Sequence, residues 1–396
     1  MSPAAAGLFG GLYGAGDAAA ALADPAWLQA MLDFEAALAR SGAAEGLIPA
    51  QSAEVIAAAC RAERFDPDAL GHEAAPHATP VVPLVAALRS AVGQPHADYV
   101  HQGATSQDVI DTAVMLVTRR ACAPLLEDAG AASAAAARLA QAHARTPMVG
   151  RTVLQQALPV SFGLVAAGWS QVISDAAARL RGLVERELPV QFGGPVGSAS
   201  PKLAAGVAAE LGLCTPALPW HTNRVVPASL AGELAVLAGA LGKVARDVTM
   251  LAAHEVGEVR EGGDGARGAS SAMHHKRNPV AAVSVLACSK RTPGLAATML
   301  SAMEQEHQRA AGAWQSEWGT LRDLLGLTAS AAAGAREMLE HLVPDPERMR
   351  SNLAAMAAAG VAEAEDPEAQ LGAAEELIAR ALASRPIADH LDQGEP

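Results

Sequence analysis

A seam of aliphatic residues in the second half of the chain limits the possible folds more than any other feature. Its members alternate in spacing between four and three residues: Leu230, Leu234, Leu237, Leu241, Val244, Val248 and Leu251. A seam of about three heptads is typical of long helices that pack at a shallow angle. The next two positions on the stripe are Glu255 and Glu258. They indicate either that the helix leaves the core and its acids are solvated, or that this end faces a polar site.

The rest of the sequence favours the same helical class. Hydrophobic residues make up 51% of the chain but aromatic residues only 3%, and alanine, the best helix former, dominates. No segment shows strand-length alternation, so the prediction is an all-α fold: a long-helix bundle flanked by smaller helical N- and C-terminal domains. The predicted segments are an N-terminal helical domain, a central bundle and a short C-terminal helical segment, over residues 1–100, 101–343 and 344–396.

Periodicity, caps and breakers also predict individual elements. Helices are expected over 24–44, 51–62, 111–144, from Pro159 to 187, and over 312–342, and a helix is expected to restart at Asn278 and Pro279 as its N-cap and first residue. Looser chain is expected over 65–101 and 191–201, and a glycine-rich mobile loop over 261–271.

Charge and cysteine content exclude several classes of protein. The net charge of −13 opposes nonspecific nucleic-acid binding. No continuous apolar run suggests a membrane span, and the N-terminus does not resemble a signal peptide. The cysteines form no CxxC pair and are interpreted as buried, reduced thiols of a cytoplasmic protein without a metal site: Cys60, Cys122, Cys214 and Cys288.

Three segments concentrate polar side chains just before predicted helices. They are HQGATSQD at 101–108, GRTVLQQALP at 150–159 and SSAMHHKRNP at 270–279. The first is either an elaborate N-cap or a carboxylate pocket, and the second alone is a weak signal. The third is either a flexible linker with a basic end or a donor-rich loop suited to stabilising a developing anion. Its density of reactive side chains favours the second of these interpretations.

Together these segments resemble the three sequence blocks of the fumarase/aspartase superfamily, along about residues 8 to 355. The segments HQGATSQDVIDTA, PWHTNR and EHQRAAGAWQSEW are similar in particular to the branch that acts on 3-carboxy-cis,cis-muconate. The His–Glu pair that most lyases of the superfamily use is replaced by Val153 and Val283, as it is in that branch. Ala269, His274 and Val225 depart from the usual motifs of the superfamily and this branch. A different substrate is therefore an alternative.

The resemblance implies roles for individual residues. Ser270 corresponds to the general acid/base. The expected substrate-binding residues are His101, Thr105, Ser106, Arg151, Gln155, His221, Arg224, Ser271, Lys276 and Asn278. His101 and His221 are candidates for orientation or proton transfer and cannot be ranked from the sequence.

The leading functional expectation is a cofactor-independent cycloisomerase that lactonises carboxymuconate in aromatic-acid catabolism. The alternatives are a C–N or C–O lyase that eliminates from a substituted succinate to give fumarate, and a non-catalytic helical paralogue. The resemblance also implies a small polycarboxylate substrate and a homotetramer whose sites combine the three blocks from three subunits.

Overall fold

The structure is a computed structural model that describes residues 8, 10–14, 16–263, 268–269, 273, 276–360 and 366–384. Thirteen α-helices lie within this part of the chain. They are α1 (Ala18–Ala21), α2 (Asp24–Ala44), α3 (Ala50–Ala59), α4 (Pro67–Ala74), α5 (Val81–Val92), α6 (Ser106–Ala142), α7 (Phe162–Arg186), α8 (Pro201–Leu211), α9 (Val225–Leu251), α10 (Val280–Ser301), α11 (Ala313–Glu340), α12 (Pro346–Ala358) and α13 (Ala374–Ala383). The predicted all-α class is confirmed.

The chain divides into two compact units. The first comprises residues 1–124, 181–232 and 294–326, and the second comprises 125–180, 233–293 and 327–396. Helices α6, α7, α9, α10 and α11 contribute residues to both units. The units are therefore not the three sequence-derived segments, whose boundaries remain a prediction.

The aliphatic seam is buried along its whole length on α9, with exposed fractions of 0 to 8%. The helix ends at Leu251, so the stripe does not continue as helix to Glu255 and Glu258. Glu255 is exposed, as the solvated alternative expects, whereas Glu258 is buried. By length and composition alone, helix α9 could cross a membrane. However, 56% of its most apolar 18-residue stretch is buried inside the chain, as in the core helix of a folded domain.

Short strands correct the expectation that the chain contains none. The strands β1 (Pro147–Thr152) and β2 (Gln155–Ser161) form an antiparallel hairpin, and β3 (Val259–Glu261) pairs with β4 (Leu342–Pro344). The prediction that Pro159 opens a helix is wrong, because Pro159 lies in β2 and the helix begins at Phe162. Segments this short show no clear alternation, so tertiary pairing rather than local pattern stabilises them.

Other local predictions have mixed outcomes. The helix predicted over 24–44 is confirmed, whereas the looser stretch 65–101 contains α4 and α5. Three cysteine thiols are buried as predicted, and burial raises the pKa of Cys122 to about 12. Cys214 is exposed, so the prediction of burial is wrong for this residue.

Candidate functional site

The carboxylate of Asp108 organises the polar cluster at the start of α6, in the first unit. Its Oδ1 accepts from Gln191 Nε2, Gly193 N and His221 Nε2 at 3.1, 3.0 and 2.8 Å. Its Oδ2 accepts from Thr105 N and Gly194 N at 3.0 and 2.9 Å. Five donors therefore satisfy both oxygens of the wholly buried Asp108 side chain, as a buried polar group requires.

Local sequence explains one of the hydrogen bonds to Asp108. Thr105 precedes α6 and Asp108 is the third helical residue, so the bond from Thr105 N to Asp108 is one half of a capping box. Three further donors to Asp108 come from the loop at residues 191–194. A Cβ on Gly193 would lie 2.8 Å from His221 Cε1, and one on Gly194 would lie 2.8 Å from Gly103 O. Glycine therefore allows the loop amides to reach the carboxylate.

His221 is buried, and its bond to Asp108 determines the direction of its ring. Its Nε2 faces Asp108, and its carbonyl oxygen accepts from Gln107 Nε2 at 2.7 Å. The structure thus brings two of the predicted binding residues, Thr105 and His221, onto one carboxylate. Their proposed roles toward a substrate remain predictions.

A buried ionic cluster lies one helical turn further along α6. Arg224 donates to Asp111 at 2.7 and 3.0 Å and to Glu317 at 3.0 and 2.5 Å. Gln107, Trp314 and Gln305 supply further donors to the two carboxylates. Burial lowers the pKa of Arg224, but the two carboxylates outweigh burial and raise it.

This cluster changes the interpretation of Arg224. Its side chain is 3% exposed, and its Nε and both Nη atoms are engaged by carboxylates. Its geometry is that of a positioning residue, and its assignment to substrate binding stays a prediction. Burial raises the pKa of Glu317, and the bonds from Arg224 oppose that shift.

A second arginine of the first unit is more accessible. Arg309 is half-buried and donates from Nη1 to the hydroxyl of Thr105, beside Ser106 at the first position of α6. Sequence reasoning did not single out Arg309, although it lies within the EHQRAAGAWQSEW segment. Its guanidinium lies beside the N-terminus of α6, and both the cation and the helix N-terminus favour binding of an anionic group.

His101 lies near this cluster in the chain but has a different partner. Its Nδ1 is 2.5 Å from Oε1 of the buried Glu35 on α2. Burial lowers the pKa of His101, but the charge and hydrogen bond of Glu35, with a smaller contribution from Asp108, raise the pKa above its ordinary value. Sequence reasoning missed Glu35 because nothing in a helical stretch 66 residues away marks it as a partner.

The second unit contains Arg151 and Gln155 on the β1–β2 hairpin. Arg151 makes a two-pronged contact with the buried Glu258, at 2.8 and 2.9 Å, and Asn352 donates to the same carboxylate at 2.8 Å. Gln155 is exposed. Arg151 is thus ion-paired within the chain, and Gln155 is the more available of the two for a ligand.

Asn278 closes the base of the glycine-rich loop, also in the second unit. Its backbone N and its Nδ2 donate to Gly268 O at 2.8 and 3.2 Å. The expectation that Asn278 caps α10 is wrong, because the amides of Ala281 and Ala282 donate to the Glu261 carboxylate at 3.1 and 2.8 Å. A carboxylate satisfies these amides and complements the positive end of the helix dipole.

The remaining predicted residues are only partly described. Lys276 is exposed, and its backbone N donates to Met273 O at 3.1 Å. Ser270 and Ser271 lie outside the described residues, as do His274 and His275. No group of three potential metal ligands occurs among the residues that the structure describes.

We expect Gly268→Ala to lower turnover by roughly 10- to 100-fold, because a small displacement of the groups that position the reaction lowers the rate strongly. Gly268 has a φ of +68°, and an added Cβ would lie 2.3 Å from Asn278 O, so the base of the loop must shift. Gly46→Ala is the matched control, since Gly46 has a φ of +72° but no atom within 4 Å of the added Cβ. Equal kinetic losses in both variants would contradict this prediction.

Comparisons with known proteins agree with these features. A family model described as a lyase matches residues 18–294. A 3-carboxy-cis,cis-muconate cycloisomerase of Bradyrhizobium diazoefficiens is 45% identical, over 89% of this chain and 80% of the relative. A nitrosuccinate lyase of Streptomyces davaonensis is 43% identical, over 84% of this chain and 74% of the relative. The crystal structure of the 3-carboxy-cis,cis-muconate lactonizing enzyme from Pseudomonas putida matches with a TM-score of 0.87 and 35% identity, over 95% of this chain and 98% of that chain.

Proposed function

Because the chain belongs to the lyase family of the fumarase/aspartase superfamily, we propose that it is a cycloisomerase that converts 3-carboxy-cis,cis-muconate to a carboxymuconolactone. The observation that carries this proposal is the likeness to such enzymes along nearly the whole chain, in sequence and in fold. The replacement of the usual His–Glu pair by Val153 and Val283 also supports it, because amine and water leaving groups draw on that pair.

The reaction takes up one proton, forms one C–O bond and one C–H bond, and breaks the π bond of one carbon–carbon double bond. A carboxylate oxygen of the substrate adds to one carbon of a double bond, and the adjacent carbon takes up a proton, so the product is an isomer of the substrate. The intermediate is an aci-carboxylate whose extra charge must be spread over fixed donors. No oxidation state changes, and the proposal needs no cofactor.

We assign the proton transfer to Ser270. Ser271, Lys276 and Asn278 are the anion-binding groups of the same loop. Thr105, Ser106 and Arg309 would hold another carboxylate at the start of α6, where Arg309 already contacts the Thr105 hydroxyl. Gln155 and His101 complete the donor set. Asp108 and Asp111 act through other residues, since they hold His221 and Arg224 respectively.

An absorbance assay tests the proposed activity. Adding 3-carboxy-cis,cis-muconate to the purified chain should abolish the ultraviolet absorbance of the conjugated diene. The assay is run in parallel with nitrosuccinate and other substituted succinates, because the nitrosuccinate lyase is nearly as similar in sequence. Release of fumarate with no loss of diene would replace the proposal by an eliminating lyase, and silence on every substrate would favour a non-catalytic paralogue.

We further propose that the chain acts as a homotetramer in a reducing, cytoplasmic compartment. Large apolar side chains are exposed along the long helices and on the hairpin: Val236, Met250, Val283, Leu300, Val153, Leu154 and Leu158. Apolar surface of this kind favours association. The exposed thiol of Cys214 suits a reducing environment.

We expect light scattering at micromolar concentration to give the mass of four chains of 40.2 kDa. In the tetramer the sites would combine segments from three subunits, so activity should be lost on dilution below the assembly range. A fully active monomer would contradict the shared-site arrangement.

A further inference from the structure

Glu35 of α2 is a buried acid with a single hydrogen-bond partner among the described residues. Its side chain is 1% exposed, and its Oε1 lies 2.5 Å from His101 Nδ1. Its Oε2 is buried, with no hydrogen-bond partner in the described part of the chain. A buried carboxylate is strongly destabilising unless an opposite charge compensates it. His101 is the group placed to carry that charge.

The pair lines a cavity of about 290 Å³ in the first unit. Most of the other side chains around the cavity are apolar, among them Leu38, Ile48, Phe192 and Leu203. In such surroundings a charge pair interacts more strongly than at the protein surface. Nδ1 of His101 is occupied by Glu35, so Nε2 is the remaining ring donor, and no partner for it occurs among the described residues.

The charged groups near His101 other than Glu35 do not account for the rise in its pKa. Burial has the largest effect and lowers the pKa of His101, and Arg89 of α5 lowers it further. Glu35 raises the pKa by its charge and by its hydrogen bond, and Asp108 of α6 adds a smaller increase. Since the net direction is upward, Glu35 is the main group that offsets the effect of burial.

We propose that Glu35 is a positioning residue that holds His101 as an imidazolium, engages its Nδ1, and leaves Nε2–H to bind a carboxylate of the substrate. The inference rests on the proposed function for the identity of that carboxylate. It explains why one acid lies among the otherwise apolar buried side chains between Leu28 and Ala39 of α2, and why its partner is the histidine that begins the donor-rich segment 101–108. Glu35 does not touch the substrate in this arrangement.

The first test is the titration of His101 in Glu35→Gln, followed by NMR of the ring Cε1–H in the whole chain. In the wild type the imidazolium should persist above the ordinary histidine range of about 6.5. In the variant the neutral amide no longer offsets burial, so His101 should lose its proton at lower pH. An unchanged titration of His101 in Glu35→Gln would overturn the proposal.

The second test separates KM from kcat. Binding that needs the imidazolium holds below the pKa of His101 and is lost as pH rises through it. We therefore expect Glu35→Gln to raise KM by about tenfold at neutral pH, with a smaller effect on kcat, and to move the alkaline rise of KM to lower pH. Loss of kcat with an unchanged KM profile would overturn the proposal.

Two variants control for folding and packing. Glu35→Asp keeps the charge and should keep the raised titration of His101, whereas equal loss in Asp and Gln variants would show that packing alone matters and overturn the proposal. Glu210→Gln removes an acid from the exposed pair with Arg40 and should leave His101 and KM unchanged. If the wild type does not consume carboxymuconate, the proposed function fails, but the titration still decides the role of Glu35.

Discussion

Replacing Ser270 by alanine is expected to lower turnover by roughly 100-fold or more, with substrate binding largely kept. The change removes one hydroxyl from a glycine-rich segment, where it should cost the fold little. The base of that segment is held by other residues, through the bonds from Asn278 to Gly268 O and the bridge between Ala269 and Arg277. The effect should therefore appear in kcat and not in the free energy of unfolding.

Ser271→Ala is the matched control for Ser270→Ala. It removes the same group one residue further on, and it should have the smaller effect because Ser271 is assigned to substrate binding. The pH profile tests the competing view that a histidine carries the proton, with His101, His221 and His274 as candidates. A histidine that carries the proton would give a limb at about 6.5 if its pKa is ordinary, and at higher pH if it is His101, whose pKa Glu35 raises. Full activity of Ser270→Ala with such a limb would refute the assignment to serine.

Replacing Arg224 by methionine is expected to lower the free energy of unfolding by about 3–5 kcal/mol. Methionine keeps much of the length of the side chain but removes its charge. Asp111 and Glu317 would then be left as two buried carboxylates without their shared cation. Leaving a buried charge uncompensated costs far more than the pair itself contributes, because neither water nor another cation replaces the lost bonds.

Urea unfolding followed by circular dichroism measures this effect. Arg40→Met is the matched control, because Arg40 pairs with Glu210 while both side chains remain about half exposed, at 47 and 42%. Exposed ion pairs contribute roughly 0–1 kcal/mol, so this variant should unfold near the wild type. Similar losses in the two variants would show that the Arg224 cluster is not the buried ionic unit described above.

Helix positions follow closely from the sequence because they depend on local periodicity and on capping. The seam from Leu230 to Leu251 predicts a buried helical stripe, and every member is buried on α9. The polar segment 101–108 predicts an N-cap before a long helix, and Asp108 does make half of a capping box, but α6 begins at Ser106 and not at the expected residue 111. The hairpin at 147–161 was missed, since two short strands stabilise each other and carry little pattern of their own.

The sequence by itself determined the helical class, the family and the segments that hold the candidate residues. Tertiary structure alone decided which of those side chains are already engaged. Arg224 and Arg151 are paired with buried acids, Glu261 rather than Asn278 satisfies the first amides of α10, and Glu35 holds His101. These partners lie from about 20 to more than 110 residues apart in the chain. Local periodicity cannot specify such pairs, because each depends on where packing places two distant backbones and on the cost of burying a charge without its counterion.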